Sequence, residues 1–346
     1  MKNKTISIIM TIVIVIGVLP VYAFASVNSS NWTYNVLNED DKIAEITGYN
    51  GSDTELVFPE EIDGYTMVAI ADDAFKGKSY IDYPVTKIII PESYKRIGEH
   101  SFYYYKNLVD VSLPHGLEYI GYNSFWRSGI YFENEYQCGL RNEYPVLYIG
   151  EYCILAEQNL SNLDKIVYCI KPGTKLIAAG AFSWNKSLKG VIIPEGVEFI
   201  NDVAFFACNH MVSYVIPTTV KEIGHMALAS SDYGMYIKIP STVTNIADDA
   251  LNDVGRRSIV YGATGSEAER FANISGAEFV ELNDIVYGDV DGDGVVSVND
   301  YASMKSCVLC EIEYEGENEI IGDMNGDCVI DGFDLFHVDM AINGMA

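Results

Sequence analysis

Basic residues are scarce in this chain of 346 residues, which has 22 lysines and arginines against 49 aspartates and glutamates and a formal net charge of −27. Such an acidic surplus repels phosphate groups, so it argues against nucleic acid and anionic membranes as partners. Loss of an N-terminal segment containing Lys2 and Lys4 would leave a charge of −29. Disorder does not follow, because hydrophobic residues make up 49% of the chain and aromatic residues 12%.

Long apolar stretches are missing after the first 25 residues. Within those residues, two lysines precede the uncharged run Ile6 to Val18, and Pro20 stands ahead of Ala23-Phe24-Ala25. This order is typical of an export signal over residues 1–25. An uncleaved anchor is the alternative, since about 20 apolar residues span a bilayer, but the proline and the Ala-x-Ala end favour cleavage. We expect a secreted, extracellular protein with no membrane segment after cleavage.

Cysteine and histidine patterns that carry metal or catalytic chemistry are also missing. The seven cysteines are Cys138, Cys153, Cys169, Cys208, Cys307, Cys310 and Cys328. Their odd number fits no small disulfide scaffold, and Cys307-x-x-Cys310 has no second pair to complete a zinc site, so we expect buried thiols. No HExxH, triad or phosphate-loop pattern is present. A glycosidase needs only two facing carboxylates and leaves no motif, but nothing points to one, and we expect no enzyme.

Prolines that end short β-branched runs recur with a period of 23 residues. The steps from Pro91 to Pro114, from Pro194 to Pro217 and from Pro217 to Pro240 are each 23 residues. An isoleucine follows each of these prolines by six residues and a large apolar residue by eleven. These residues are Ile97, Ile120, Ile200, Ile223 and Ile246, then Phe102, Phe125, Phe205, Leu228 and Leu251. Pro172 has the same partners one position early, Ile177 and Phe182. An insertion at about 130–165 interrupts the period, and we interpret it as an irregular repeat with an inserted hairpin.

Each repeat predicts a short strand stopped by proline, then an Ile-Gly turn that leads to a buried aromatic residue. A unit this small cannot bury its own apolar side, so stacked units must share a core, as in a solenoid. The pattern Ile-Pro-x(4)-Val-x-x-Ile-x-x-x-Ala-Phe, cleanest from Ile193 to Phe205, resembles the BspA-like leucine-rich repeats of secreted bacterial proteins. The resemblance implies an α/β solenoid of mainly short strands and turns over residues 26–285, with N- and C-terminal caps. It also implies that Cys208 is an interior residue.

The solenoid surface offers possible contact positions between the core residues. On the strands these are Ser112, Ile192, Val215 and Lys238, and near the turns they are Tyr103 to Tyr105 and Trp126. Rows of aromatic rings can stack on sugars or pack on a protein partner. The alternative, which we favour, is that these rings cover the edges of the repeats.

The acidic surplus is concentrated at the C-terminus, where residues 287–346 contain 14 acidic residues and one lysine and have a formal charge of −13. Two 12-residue loops, 289–300 and 323–334, place oxygen side chains at positions 1, 3, 5, 9 and 12 and a backbone carbonyl at position 7. The predicted ligands of two calcium ions are Asp289, Asp291, Asp293, Val295, Ser297 and Asp300, then Asp323, Asn325, Asp327, Val329, Asp331 and Asp334. A solvated acidic tail is the alternative, but the same register recurs after 34 residues.

The two loops resemble those of a type I dockerin, with Asp at position 12, an apolar residue at position 8 and an expected helix after each loop. The resemblance covers residues 286–346 and implies a small all-α calcium-binding domain that docks onto a cohesin of a scaffoldin. Cys328 replaces the glycine of position 6 in the second loop, which bears on the calcium affinity of that loop. The implied cohesin contacts are Val298, Asn299, Lys305 and Ser306, then Gly332, Phe333, Asp339 and Met340. Since the two sets differ at every position, we expect a single docking orientation.

Taken together, the sequence predicts a secreted, non-catalytic component of a cellulosome, the complex in which polysaccharides are broken down. The dockerin would attach it to a scaffoldin, and the repeats would recognise a protein or a polysaccharide. Two alternatives stay open. One is a carbohydrate-active hydrolase or peptidase with its activity in the repeat region, and the other is a surface adhesin.

Overall fold

The computed structural model describes residues 29–75, 84–130, 146–156, 166–211, 213–229, 234–251, 258–281, 288–291, 294–309, 321–322 and 332–343. The predicted export signal, residues 1–25, lies outside these ranges, as does most of the predicted insertion at 130–165. No described helix is both long and apolar enough to cross a bilayer.

The described residues form short strands in nearly every repeat, together with three α-helices and a 3-10 turn at Ser29–Asn31. The strands are β1 (Trp32–Asn38), β2 (Ile43–Tyr49), β3 (Glu55–Val57), β4 (Glu61–Ile62), β5 (Tyr65–Ile70), β6 (Lys87–Ile89), β7 (Arg96–Ile97), β8 (Asp110–Ser112), β9 (Tyr119–Ile120), β10 (Val146–Ile149), β11 (Tyr152–Ala156), β12 (Ile166–Cys169), β13 (Leu176–Ile177), β14 (Leu188–Ile192), β15 (Phe199–Ile200), β16 (Ser213–Val215), β17 (Glu222–Ile223), β18 (Tyr236–Lys238), β19 (Asn245–Ile246), β20 (Ile259–Gly262) and β21 (Glu278–Glu281). The helices are α1 (Glu267–Ser275), α2 (Val298–Val308) and α3 (Gly332–Ile342).

Strands one repeat apart pair in parallel and build two rows of sheets. The first row contains the sheet β1-β2-β5-β7-β9, to which β4 adds at β5, and the sheet β10-β11-β13-β15-β17-β19. The second row contains β3-β6-β8, β12-β14 and β16-β18-β20-β21. Ile97 pairs with Ile120, and Ile200 pairs with Ile223. These are the isoleucines that recur with the period of 23 residues. The prediction of a repeat solenoid is therefore confirmed.

Aromatic residues of successive repeats stack along the centre of the solenoid. The rings of Phe102 and Phe125 stack with centroids 5.3 Å apart, and those of Phe182 and Phe205 with centroids 5.2 Å apart. These four side chains are almost completely buried, as the eleventh position after each proline predicts. Burial of such rings stabilises the folded chain by about 2–3 kcal/mol each, so the repeated aromatic position supplies much of the core.

In the turns between strands, non-glycine residues 23 positions apart adopt the left-handed backbone conformation. Tyr104 has φ 63° and Arg127 has φ 55°. Each such conformation costs about 1–3 kcal/mol. Bonds between repeats offset this cost, since the amide of Tyr104 donates to the carbonyl of Trp126 over 3.0 Å. The turns therefore link neighbouring repeats as a second hydrogen-bond ladder.

The hairpin β10–β11 lies within the predicted insertion and separates two hydrophobic cores. Leu147 and Ile149 pack into the core of the N-terminal repeats, whereas Val146 and Tyr148 pack into the core of the C-terminal repeats. Alternate strand residues point to opposite faces, so one hairpin can serve both cores. The first-row sheet ends at β9 on one side of this partition and starts again at β10.

Most described cysteines in the repeats are buried thiols. Cys153 and Cys208 are free and fully buried, and the Cys208 thiol donates to the carbonyl of Phe182 over 3.0 Å. Burial raises the pKa of each of these two thiols to about 12, so both stay protonated and unreactive. Cys169 differs from the expectation of buried thiols because it is disulfide-bonded.

The three α-helices lie in the C-terminal part of the described chain. Helix α1 follows β20 and covers the C-terminal core with Ala268, Phe271 and Ala272. Beyond it, α2 and α3 pack on each other around a small separate core that contains Met304 and Val338. This helical pair confirms the predicted small all-α domain after the solenoid.

Candidate functional site

The first acidic loop gathers three of its predicted ligands in one place. Carboxylate oxygens of Asp289, Asp291 and Asp300 all lie within 4.8 Å of one another. Asp289 and Asp300 are buried, and Asp291 is exposed. Oxygen donors this close suit a hard cation such as calcium, which takes six to eight oxygens.

Backbone amides of the loop donate hydrogen bonds to two of these carboxylates. The buried Asp300 carboxylate accepts from the amides of Val290 over 2.9 Å, Asp291 over 3.1 Å and Ser297 over 2.8 Å. Asp289 accepts from the amide of Gly294 over 2.7 Å. Charge-assisted bonds of this kind contribute about 1.5–3 kcal/mol each. The carboxylates are therefore held at the loop by the chain itself.

Asp300 also joins the loop to helix α2. Ser297 is the N-cap of α2 and accepts from the amide of Asn299 over 3.1 Å. Asp300 reaches back to the amide of Ser297, which completes a capping box. Any cation that binds Asp300 consequently acts on the start of the helix.

The other predicted ligands lie partly within and partly outside the described residues. Val295 is exposed, and Ser297 lies at the start of α2. In the second loop, Asp334 is fully buried in the first turn of α3, as Asp300 is in α2. The predicted ligands outside the described residues are Asp293, Asp323, Asn325, Asp327, Val329 and Asp331. Cys328 lies outside them as well.

The predicted cohesin contacts lie on the two C-terminal helices. On α2, Val298 is 69% exposed, Asn299 and Lys305 are exposed, and Ser306 is half-buried. On α3, Asp339 is exposed and Met340 is half-buried, and the helix begins with Gly332 and Phe333. The exposure of Val298 suits a contact residue, since a free apolar side chain of this size gains from being covered.

Two exposed apolar residues of these helices were not predicted from the sequence. Leu309, at the C-terminus of α2, is 57% exposed, and Phe336 on α3 is 58% exposed. Val298, Lys305 and Leu309 follow helical spacing and share one face of α2. The 34-residue register places Phe336 at the position that Ala302 holds on α2. Helical spacing counted from Val298 would have found Leu309.

The proposed contact positions on the strands do not form one open face. Ser112 is exposed and Ile192 is half-buried, whereas Val215 is only 3% exposed and Lys238 only 7%. The expectation of an accessible strand face is therefore wrong for Val215 and Lys238. Other atoms of the chain cover these two side chains, so they cannot take part in a shared binding surface.

The aromatic side chains near the turns pack against one another. The rings of Tyr103 and Trp126 stack with centroids 5.2 Å apart, and the Arg127 guanidinium lies 4.3 Å from the Trp126 centroid. Tyr104 meets Trp126 edge to face at 5.5 Å. Because these rings use their faces on each other and on Arg127, they cover the edges of neighbouring repeats rather than offer a platform for sugar stacking.

Comparison with known proteins bears on both parts of the chain. The family model described as BspA type leucine rich repeat region matches residues 68–164 and 148–274 in six copies. The model described as dockerin type I domain matches residues 287–343. No curated protein matches the chain.

Several solved structures are similar to this chain over about 72–73% of its length. The T. pallidum leucine rich repeat protein TpLRR is 18% identical, with 72% of this chain and 96% of that chain covered and a TM-score of 0.31. A leucine-rich repeat protein from Bacteroides ovatus ATCC 8483 is 18% identical, with 72% and 66% covered and a TM-score of 0.30. The pneumococcal vaccine antigen PcpA is 13% identical, with 73% and 98% covered and a TM-score of 0.29.

Proposed function

This chain belongs to the BspA type leucine-rich repeat family and carries a C-terminal type I dockerin domain, and from that premise we propose that it is a secreted, non-catalytic subunit of a cellulosome-type complex. The dockerin binds a cohesin of a scaffoldin in a calcium-dependent manner, with one calcium ion in each loop. The repeats act as the recognition arm for a protein or a polysaccharide during polysaccharide breakdown. Attachment outside the cell then depends on the scaffoldin.

The observation that carries this proposal is the position of Asp300. Its carboxylate faces Asp289 and Asp291 and also caps helix α2, the helix that carries Val298 and Lys305. Calcium bound at this carboxylate cluster would stabilise the start of the helix and thereby hold the exposed contact face in place. Calcium dependence of cohesin binding follows from this connection.

The two helices present different faces to a cohesin, which favours one docking orientation. On α2 the face contains the exposed Val298, Lys305 and Leu309, whereas α3 contributes Phe336 and Asp339. Lys305 and Asp339 occupy equivalent positions with opposite charges. A cohesin surface complementary to one helix therefore opposes the other.

Paired substitutions on each helix test this orientation. We expect V298D/L309D and F336D/M340D to differ by at least about tenfold in their loss of cohesin affinity, because only one helix would lie at the centre of the interface. Isothermal titration with a cohesin panel in calcium measures both. The matched control is Ile274→Asp, which removes an exposed apolar residue of α1 and should leave affinity unchanged. Equal losses from both pairs would show that either helix can dock.

A further inference from the structure

A groove of about 570 Å³ opens beside the N-terminal cap, on the outer side of the first sheet. Ala69 and Ala71 line it together with Glu45 and Thr47 of β2 and Arg96 of β7. Its volume is in the range of small ligand sites. It lies far along the chain from the calcium loops.

One small residue creates the groove. Glu45 and Arg96 both pair with Ala69, one on each side of strand β5. The next residue along this row of outward positions is Tyr119, and after the partition the row includes Phe199 and Glu222. Ala69 thus leaves a gap one strand wide. Strands β2 and β7, which carry Glu45 and Arg96, lie roughly 9–10 Å apart on either side of it. Ala69 is 4% exposed because it lies at the bottom of this gap.

The charge of the groove is negative and is not balanced within it. Arg96 donates to Asp72 over 2.7 Å and to the carbonyl of Ile70 over 3.3 Å, so its charge is already matched by Asp72. The half-buried Glu45 carboxylate makes no ion pair with any residue that the structure describes, and among those residues its hydrogen-bond donor is the side-chain amide (Nδ2) of Asn35, 3.4 Å away. Asp73 also lines the groove, with His100 Nδ1 3.5 Å from its carboxylate, and the formal charges of the four charged side chains in the lining sum to −2. A half-shielded carboxylate in this setting favours a cation.

We propose that this groove binds a lysine side chain presented by an exposed segment of a partner protein, an inference that rests on the recognition role proposed for the repeats. The four-carbon stem lies on the methyl groups of Ala69 and Ala71. The ammonium group has three N–H donors. They would donate to the Glu45 carboxylate, to the side-chain carbonyl oxygen (Oδ1) of Asn35 and to the Thr47 hydroxyl. Thr47 donates its own proton to Thr33 over 3.0 Å, so its lone pairs can accept.

The lining distinguishes lysine from two other ligands. An arginine fork would need both oxygens of a carboxylate, but Asp72 already accepts from Arg96 and one oxygen of Glu45 already accepts from the side-chain amide of Asn35. A sugar would gain from a ring to stack on, but among the residues that the structure describes no aromatic side chain lines the groove. A compact ammonium on an aliphatic stem matches the separate acceptors and the methyl floor best.

The test uses the full-length protein and two peptides, acetyl-Gly-Ala-Lys-Ala-Gly-amide and the same peptide with norleucine in place of lysine. Titration calorimetry should show that the lysine peptide binds at least about tenfold more tightly, since only it carries the cation. Glu45→Gln should remove about that tenfold preference. Ala69→Leu should abolish binding of both peptides without changing any charge, because the added side chain fills the groove.

Non-specific attraction to an acidic protein is controlled by Glu222→Gln, which removes the same charge from the same row of outward positions beyond the groove. We expect this variant to bind as the parent protein does. Equal losses in the two glutamine variants, or equal binding of the two peptides, would overturn the proposal. So would binding of cellohexaose that Ala69→Leu abolishes, which would assign the groove to a sugar.

Circular dichroism and cohesin titration on the same samples separate this inference from the proposed function. Glu45→Gln and Ala69→Leu should both keep the parent spectrum and the parent cohesin affinity. If peptide selectivity is absent while cohesin binding is intact, the groove assignment fails and the dockerin function stands.

Discussion

At the scale of single residues, Asp300 has two roles. It contributes an oxygen to the carboxylate cluster, and it caps helix α2 through the amide of Ser297. The spacing of the loop predicted the first task. The second task depends on the fold, because it requires the loop to turn back onto the helix that follows it.

Replacing this carboxylate should uncouple the loop from the helix. We expect Asp300→Asn to weaken calcium binding at least about tenfold, since it removes one anionic ligand. It should also lower the free energy of unfolding of the C-terminal domain by about 1.5–3 kcal/mol, because charge-assisted hydrogen bonds are lost. Calcium titration by calorimetry, with helicity followed by circular dichroism, measures both effects. The control Asp339→Asn removes the same charge from an exposed site on α3. Parent-like calcium affinity in Asp300→Asn would contradict the assignment.

At the scale of strands and repeats, the sequence predicts the regular part of the fold well. Each proline marks where a strand stops, and the residues six and eleven positions later are buried at Ile97, Phe102, Ile200 and Phe205. These positions can be predicted because each repeat contains its own burial pattern. The partition by hairpin β10–β11 cannot be predicted in this way, since its residues are divided between two cores that lie on either side.

Asn201 shows most clearly why the partition depends on distant residues. Its side chain accepts from the amide of Ile120 over 3.0 Å and donates to the carbonyl of Glu118 over 3.0 Å. These contacts span more than 80 residues and take the place of a strand ladder beside β9. A buried asparagine thus joins the two halves of the solenoid.

Removal of this amide should therefore destabilise the whole repeat region. We expect Asn201→Ala to lower the free energy of unfolding by about 2–4 kcal/mol, because it leaves a buried donor and a buried acceptor unpaired. Urea denaturation followed by tryptophan fluorescence measures this loss. Asn245→Ala, at an exposed position of the same sheet, should change the free energy by less than about 0.5 kcal/mol. Equal stabilities of the two variants would show that Asn201 does not join the halves.

A row of charges along the first-row sheet makes a pH-dependent contribution. A hydrogen bond from Lys221 lowers the pKa of Glu198 below its ordinary value of 4.5, and Lys175 lies 3.6 Å away on the other side. The lowered pKa means that this stabilisation is present above pH 4.5 and is lost as the pH falls through the folded-state pKa.

Glu198→Gln should be less stable than the parent by about 0.2–1 kcal/mol at pH 7, the range of surface ion pairs. That difference should shrink as the pH is lowered below 4.5. Urea denaturation at several pH values gives the free energies. Glu222→Gln is the control, and a gap for Glu198→Gln that is constant from pH 7 to acid would contradict the ion-pair account.

At the scale of the whole molecule, the candidate sites differ in how far the sequence predicts them. The predicted calcium loops are local in sequence, so the spacing of Asp289, Asp291 and Asp300 is enough to propose a shared cation. The groove at Ala69 depends on a missing side chain between strands from different repeats, which no motif records. The ligands of the second loop that lie outside the described residues stay a prediction.

The acidic surplus also divides at this scale. A charge of −13 belongs to residues 287–346, where a cation has carboxylates to bind, and the remainder is spread over the repeats. The two parts should therefore respond differently to chelation. All three tryptophans, Trp32, Trp126 and Trp184, lie in the solenoid with its caps and report on that part alone.

We propose that calcium controls partner binding through the C-terminal domain while the solenoid folds without it. The direct measurement is cohesin titration of the full-length protein in calcium, in chelator and after calcium is restored, with tryptophan-monitored melting of each sample. We predict that binding is lost in chelator and restored by calcium, and that the melting midpoint of the repeats stays the same. Cohesin binding that persists in chelator, or repeats that unfold with the loss of binding, would contradict this account.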